Sequence, residues 1–160
     1  MKVINKYVYP TSTRAEIEGL RHYTVDGEAR PLPSVTTVLG KTQPKEKQES
    51  LDRWRERIGL REAEKITREA GIRGTAMHKY LEDLIQGERS MDLTDTGQQA
   101  QKMAEVIVDQ GLNRCSEVNG IEAVLYYPGL YAGSCDLIGQ VDGKLSIIDF
   151  KQTNKPKRRE

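Results

Sequence analysis

The spacing of apolar positions along the 160-residue chain changes character twice. Near the start, Tyr7-Val8-Tyr9 and His22-Tyr23-Thr24-Val25 read as short strands of a small hairpin, the second ending at an Asp26-Gly27 turn. Pro31-Leu32-Pro33 breaks this pattern, and Ser34 stands as the N-cap of a helix over 35–40. Residues 41–48 form a polar, proline-containing linker. Leu51, Trp54 and Ile58 then mark one face of a short helix stopped by Gly59, with Trp54 read as core rather than as a stacking platform. Ile66, Ala70, Gly74, Met77, Leu81 and Leu84 recur at helical spacing and define the buried stripe of a longer helix ending at Gly87. Thr94 or Asp95 caps the next, with Ala100, Met103, Ala104, Ile107 and Val108 inward and Gly111 as its stop. Beyond it the period falls to two. Residues 121–127, 131–141 and 144–150 read as strands separated by Pro128-Gly129 and Asp142-Gly143.

Helices followed by an antiparallel meander predict an α+β protein. The length suits a single domain over 1–160: an N-terminal hairpin (1–30), a helical part (31–111), a β-meander (112–151) and a basic tail (152–160). No internal repeat is visible.

The turn at Asp142-Gly143 has a chemical consequence. Asp-Gly between apolar runs specifies a two-residue turn, which pairs Val141 with Lys144 and, counting outward, Asp136 with Asp149. Directly opposed residues have Cβ atoms ~4.5–5.5 Å apart, and like charges there are destabilising. The expectation is a cation between the two carboxylates. Lys151 shares a face with Asp149 by the period of two, so carboxylates and an ammonium converge, as metal-dependent phosphodiester hydrolysis requires. Hard carboxylate oxygens suit Mg²⁺ or Mn²⁺, with the Phe150 carbonyl as a further ligand. Lys151 would steady charge on the scissile phosphate and orient the attacking water. Taken singly, Asp136 and Asp149 each read better as an ordinary surface aspartate, and Lys151 reads also as a solvated strand-end lysine; the joint pattern is what favours a metal site.

Composition narrows the partners. Lys and Arg number 25 against 24 Asp and Glu, a net charge of +1, so nucleic-acid binding has to come from a local groove rather than a global field. The two cysteines, Cys115 and Cys135, are too few for a disulfide framework or a cysteine zinc site. Residues 1–6 lack the apolar core of a signal peptide, and no run is long enough to span a membrane. The expectation is a cytoplasmic protein with no membrane partner.

The set Gly133-Ser134-Cys135-Asp136, a short hairpin, then Ile148-Asp149-Phe150-Lys151 resembles the PD-(D/E)XK nucleases, in particular their RecB-like exonuclease branch. Leu32-Pro33-Ser34-Val35-Thr36-Thr37-Val38-Leu39 is similar to a segment of that branch's phage and mitochondrial exonucleases. Arg73-Gly74-Thr75-Ala76-Met77-His78-Lys79-Tyr80-Leu81-Glu82 is similar to its RGT-x-x-H-x-x-x-E helix. The ordered set covers most of 32–155, although the proline common before the first Asp is absent.

The resemblance implies a restriction-endonuclease-like core with the helices on a truncated mixed sheet. It implies a metal-dependent exonuclease acting on single-stranded or frayed DNA ends, phage-encoded and working in the host cytoplasm. Asp136, Asp149 and Lys151 would be catalytic, and His78 would join Asp136, Asp149 and Phe150 at the metal. Ser34, Thr36 and Thr37 at a helix start, with Arg73 and Thr75, are candidates for DNA phosphate contacts, or serve only as a cap and a solvated helix face. Glu122 stays open: a two-residue turn at Pro128-Gly129 faces it away from the site, and a three-residue loop brings it there. Family members continue past the lysine with a Gln-x-x-x-Tyr helix and another strand. This chain therefore reads as a truncated nuclease whose exposed sheet edge offers a route to a homo-oligomer. The alternative function is a non-catalytic nucleic-acid-binding module derived from such an enzyme.

Overall fold

A computed structural model describes residues 2–88 and 91–153. The basic tail from residue 154 onward lies outside the described residues. The architecture is α+β, with two sheets and four helices among the described residues. Chain contacts divide the described residues into two compact units, those within segments 2–5, 64–121 and 136–153 in one, and 6–63 with 122–135 in the other.

The first unit holds most of helix α3 (Leu60–Gln86), all of α4 (Asp95–Gln110) and a mixed sheet edge. Met77, Leu81 and Ile85 of α3 pack with Ala100 and Ala104 of α4, with Leu112, Cys115, Val118 and Leu137, and with Phe150. The predicted stripe needs one correction: Leu84 is 41% exposed and Ile85 is buried. Positions three and four residues beyond Leu81 both lie near its face of a helix. The position of the neighbouring elements, not the period, selects between them. Gly87 ends α3 with φ 80°, a left-handed conformation that costs glycine little. Thr94 caps α4, its hydroxyl accepting the Gly97 N–H at 3.1 Å.

Because Leu81 is fully buried among these side chains, Leu81→Ala is expected to cost about 2–5 kcal/mol. Urea unfolding measures it, and a loss under about 1 kcal/mol would show that the α3–α4 packing is not the core.

The sheet order is β1 (Lys2–Val3), β5 (Cys115–Tyr127), β6 (Tyr131–Val141), β7 (Lys144–Ile148). β1 runs parallel to β5, pairing Lys2 with Glu117 and Val3 with Val118. Two residues carry too little periodicity to announce a strand, so the sequence did not reveal β1. β6 and β7 pair antiparallel in the register that Asp142-Gly143 dictates, from Val141↔Lys144 to Leu137↔Ile148. Both turn residues have positive φ, 48° and 76°, as a type I′ turn demands. β7 stops at Ile148, two residues earlier than expected.

In the second unit, β2 (Ser12–Ile17) and β3 (Leu20–Val25) form the N-terminal hairpin, closed by Glu18 and Gly19 at φ 52° and 73°. This corrects the strand expected at Tyr7-Val8-Tyr9, where Val8 is fully exposed. The partner of β3 is the segment a two-residue turn can deliver, and its mixed polar composition hid it from the hydrophobic pattern. β4 (Leu32–Pro33) adds to β3, and α1 (Val35–Lys41) and α2 (Lys45–Ile58) follow. Trp54 and Ile58 of α2 are half-buried, whereas Leu51 is exposed. Tyr23, Val25, Leu32 and Ala132 make this unit's core. The β5–β6 connection is the three-residue form, with the Leu130 N–H donating to the Tyr127 carbonyl at 3.1 Å. Glu122 takes a left-handed φ of 48°, and its carboxylate accepts from the Ser134 hydroxyl at 3.1 Å.

Candidate active site

The chain leaves β7 at Ile148 and runs as Asp149-Phe150-Lys151-Gln152 past α3. Alternation along this stretch separates its side chains. Phe150 goes into the α3–α4 core, while Asp149 and Lys151 are exposed, with the Lys151 Nζ donating to Asp149 Oδ1 at 2.8 Å.

Asp136 and His78 hold the backbone of Phe150 from two sides. Asp136 Oδ2 accepts the Phe150 N–H at 2.5 Å. His78 Nε2 lies 2.9 Å from the Phe150 carbonyl oxygen. A carbonyl only accepts, so Nε2 carries the proton in this bond and the imidazole orientation is fixed. That leaves His78 Nδ1 3.6 Å from Asp136 Oδ1. Two ligands bound ~2.0–2.2 Å from a common ion lie roughly 3–4 Å apart. The pair therefore has the spacing of a shared metal site. A ligating histidine ordinarily donates its other N–H to a carbonyl or carboxylate; here His78 Nε2–H donates to the Phe150 carbonyl.

The expected opposition of Asp136 and Asp149 is altered in one respect. The β6–β7 ladder reaches Leu137↔Ile148 and ends one step short of the two aspartates. The Asp136 carboxylate takes the Phe150 N–H, and the Asp149 carboxylate takes Lys151. The like-charge clash is thus relieved by separate partners. The Phe150 carbonyl, expected as a ligand, is engaged by His78 through one of its two lone pairs.

The remaining candidates fall in two places. Arg73 is half-buried, its Nε donating to Gln152 Oε1 at 3.1 Å, and Thr75 is exposed on α3. Ser34, Thr36 and Thr37 belong to the second unit. The Ser34 hydroxyl accepts the Thr37 N–H at 3.0 Å and caps α1, and the Thr37 hydroxyl donates to the Arg21 carbonyl at 2.9 Å, tying α1 to β3. Thr36 is exposed. Gln152 escaped the reading of the sequence, although its spacing two residues beyond Phe150 puts it on the same side of an extended chain.

Two further features frame the site. An open cavity of about 440 Å³ reaches Asp149 and Lys151 and is lined by Ile107, Leu112, Val141 and Ile148. At the far end of the hairpin, Arg114 pairs with Asp142, and its hydrogen bond holds the Asp142 carboxyl below the usual carboxylate range. That contribution to stability is present above the ordinary carboxylate pKa and is lost as pH falls through the lowered value. Burial pushes the Cys115 thiol up, which suits a core residue rather than a nucleophile.

Fold and site together define an α+β protein with a histidine–carboxylate pair set against an Asp-x-Lys strand end. Sequence comparison adds that the chain is 31% identical over 133 residues to mitochondrial genome maintenance exonuclease 1 of Mus musculus, a match over 79% of this chain and 38% of that protein. The Homo sapiens protein of the same name is 30% identical over 131 residues, again across 79% and 38%. The Xenopus tropicalis protein is 29% identical over 135 residues. The chain thus spans under two fifths of the length of these relatives, which are named as exonucleases. No family model matches it. Among the described residues, no helix is long and apolar enough to cross a membrane.

Proposed function

We propose that this chain carries the centre of a metal-dependent exonuclease of the RecB-like PD-(D/E)XK type, acting on single-stranded or frayed DNA ends. One observation carries the reading: His78, with its Nε2 committed to the Phe150 carbonyl, turns Nδ1 towards Asp136 at 3.6 Å, while the same Phe150 stands between Asp149 and Lys151. The names of the relatives support the exonuclease class. The His78–Asp136 pair suits a divalent ion of the Mg²⁺ or Mn²⁺ kind, Asp149 joins them as a holder on the strength of the family resemblance alone, and the imidazole favours Mn²⁺ relative to an all-oxygen site. Such an ion, when bound, lowers the pKa of a ligated water and offsets charge on the phosphate. Lys151 supplies hydrogen bonds to a phosphate oxygen or to the attacking water, and its contact with Asp149 sets the ammonium beside the carboxylate.

End-labelled single-stranded and duplex DNA incubated with Mn²⁺, with Mg²⁺ and with excess chelator tests this. Metal-dependent release of short products from the labelled end is the expected result. DNA binding without turnover in either metal would favour the non-catalytic binding module instead.

The histidine gives a second check. His78→Ala is expected to weaken Mn²⁺ binding by about 10–100-fold and Mg²⁺ binding by less, read by calorimetric titration. Equal curves for the wild type and the variant with both ions would remove His78 from the ligand set.

A further inference from the structure

We infer that Gln152 is a positioning residue, which ties the strand end bearing Asp149 and Lys151 to helix α3 and thereby sets the reach of Lys151; this rests on the nuclease reading above. The Gln152 amide uses both of its ends. Its Nε2 donates to the Ala70 carbonyl, and its Oε1 accepts from Arg73 Nε at 3.1 Å. Ala70, Arg73 and Gly74 lie on one face of α3, at the i, i+3 and i+4 positions. The same helix carries His78 one turn further on, where it grips the Phe150 carbonyl. Phe150 and Gln152 therefore fasten alternate residues of the strand end to one helix. Asp149 and Lys151, between and beside them, are exposed and bonded to each other.

The helix has been shaped for this contact. A Cβ at Gly74 would stand 2.8 Å from Gln152 Nε2, closer than a methyl group and an amide can sit. Gly74 also lies inside a 27-residue helix, where glycine is disfavoured by its backbone entropy. Close approach of the glutamine amide gives a physical reason for a glycine there. Arg73, a candidate for binding phosphate, has its Nε committed to this clamp.

Gly74→Ala separates positioning from mere structural support. Alanine favours the helix but displaces the amide, so the melting temperature should hold or rise while turnover falls. Gln152→Ala and Gly74→Ala are each expected to lower kcat on single-stranded DNA by at least about tenfold, since small misplacements of a catalytic group carry such losses, with KM within about twofold. The double variant should be no worse than Gln152→Ala alone, because both act on one contact. Gln152→Glu should match Gln152→Ala, as a carboxylate cannot donate to the Ala70 carbonyl. Backbone amides of residues 149–153 should exchange with solvent about tenfold faster in both single variants, a readout independent of turnover.

Lys151→Ala runs alongside. If it leaves cleavage intact, the nuclease reading of this site fails. If it removes cleavage while Gln152→Ala keeps the wild-type kcat, or if amide exchange over 149–153 is unchanged, the positioning role of Gln152 is overturned. Additive losses in the double variant, or a lowered melting temperature for Gly74→Ala, would also overturn it.

Discussion

Asp136→Asn is expected to leave a folded protein that no longer cleaves DNA. The substitution separates two duties of one carboxylate. The Asp136 side chain accepts the Phe150 N–H at 2.5 Å, and an asparagine carbonyl can accept the same bond. The fold around the strand end should therefore survive, with a change in stability of about 1 kcal/mol, the ordinary worth of a single hydrogen bond. What asparagine cannot supply is negative charge beside His78 Nδ1, at the 3.6 Å spacing that suits a shared cation. Turnover should fall by at least about a hundredfold, in line with losing electrostatic stabilisation of the transition state, and the heat of Mn²⁺ binding should disappear. DNA binding should persist or strengthen, since a carboxylate near phosphates has been neutralised. Thermal melting, metal titration and a cleavage assay on one preparation separate these effects. Retained Mn²⁺ binding in Asp136→Asn would show that this carboxylate is not a ligand.

Lys151→Ala should show the complementary pattern. Its ammonium is exposed and contacts Asp149 Oδ1 at 2.8 Å, at the mouth of the cavity beside β7. An exposed pair of this kind contributes little to folding, so the melting temperature should hardly move. Metal binding should also survive, because Asp136 and His78 are untouched and the Asp149 carboxylate is freed rather than removed. Turnover should drop by about 10²–10⁴-fold, the range for losing a positioned proton-transfer or charge-stabilising group. Lys151→Arg should restore only part of it, since guanidinium offers a planar fork where the ammonium presents a compact charge. A Lys151→Ala variant with wild-type turnover would place the chemistry elsewhere.

The two variants together test a division of labour at one strand end. Side chains turned inward and towards α3, namely Phe150 and Gln152, hold the segment. Asp149 and Lys151 are exposed and bonded to each other. The single observation behind both predictions is that Phe150 is gripped through its N–H by Asp136 and through its carbonyl by His78.

Much of this could be read from local sequence, because its causes act over a few residues. Asp142-Gly143 specified a type I′ turn and with it the whole β6–β7 register, since only residues tolerant of positive φ close two strands that tightly. Thr94, Gly59 and Gly87 marked helix ends through cap geometry. The residue types at 78, 136, 149 and 151 raised the expectation of a metal and phosphate chemistry before any fold was known.

Other features depended on contacts that close long loops, and no local period encodes those. Whether Leu84 or Ile85 turned inward was settled by what lies against α3, because a helix accepts either spacing. β1 exists only because β5 offers it a parallel edge, across more than a hundred residues of chain. The partner of β3 proved to be the polar segment Ser12–Ile17 rather than the aromatic run before it. Above all, the strand end stops pairing at Ile148 because the Asp136 carboxylate and the His78 imidazole take the Phe150 backbone groups that a longer ladder would have used. Sequence supplied the candidate ligands and the turn. Tertiary structure decided which atoms face one another, because a histidine 72 residues from Phe150 reaches it only once α3 has packed on the sheet.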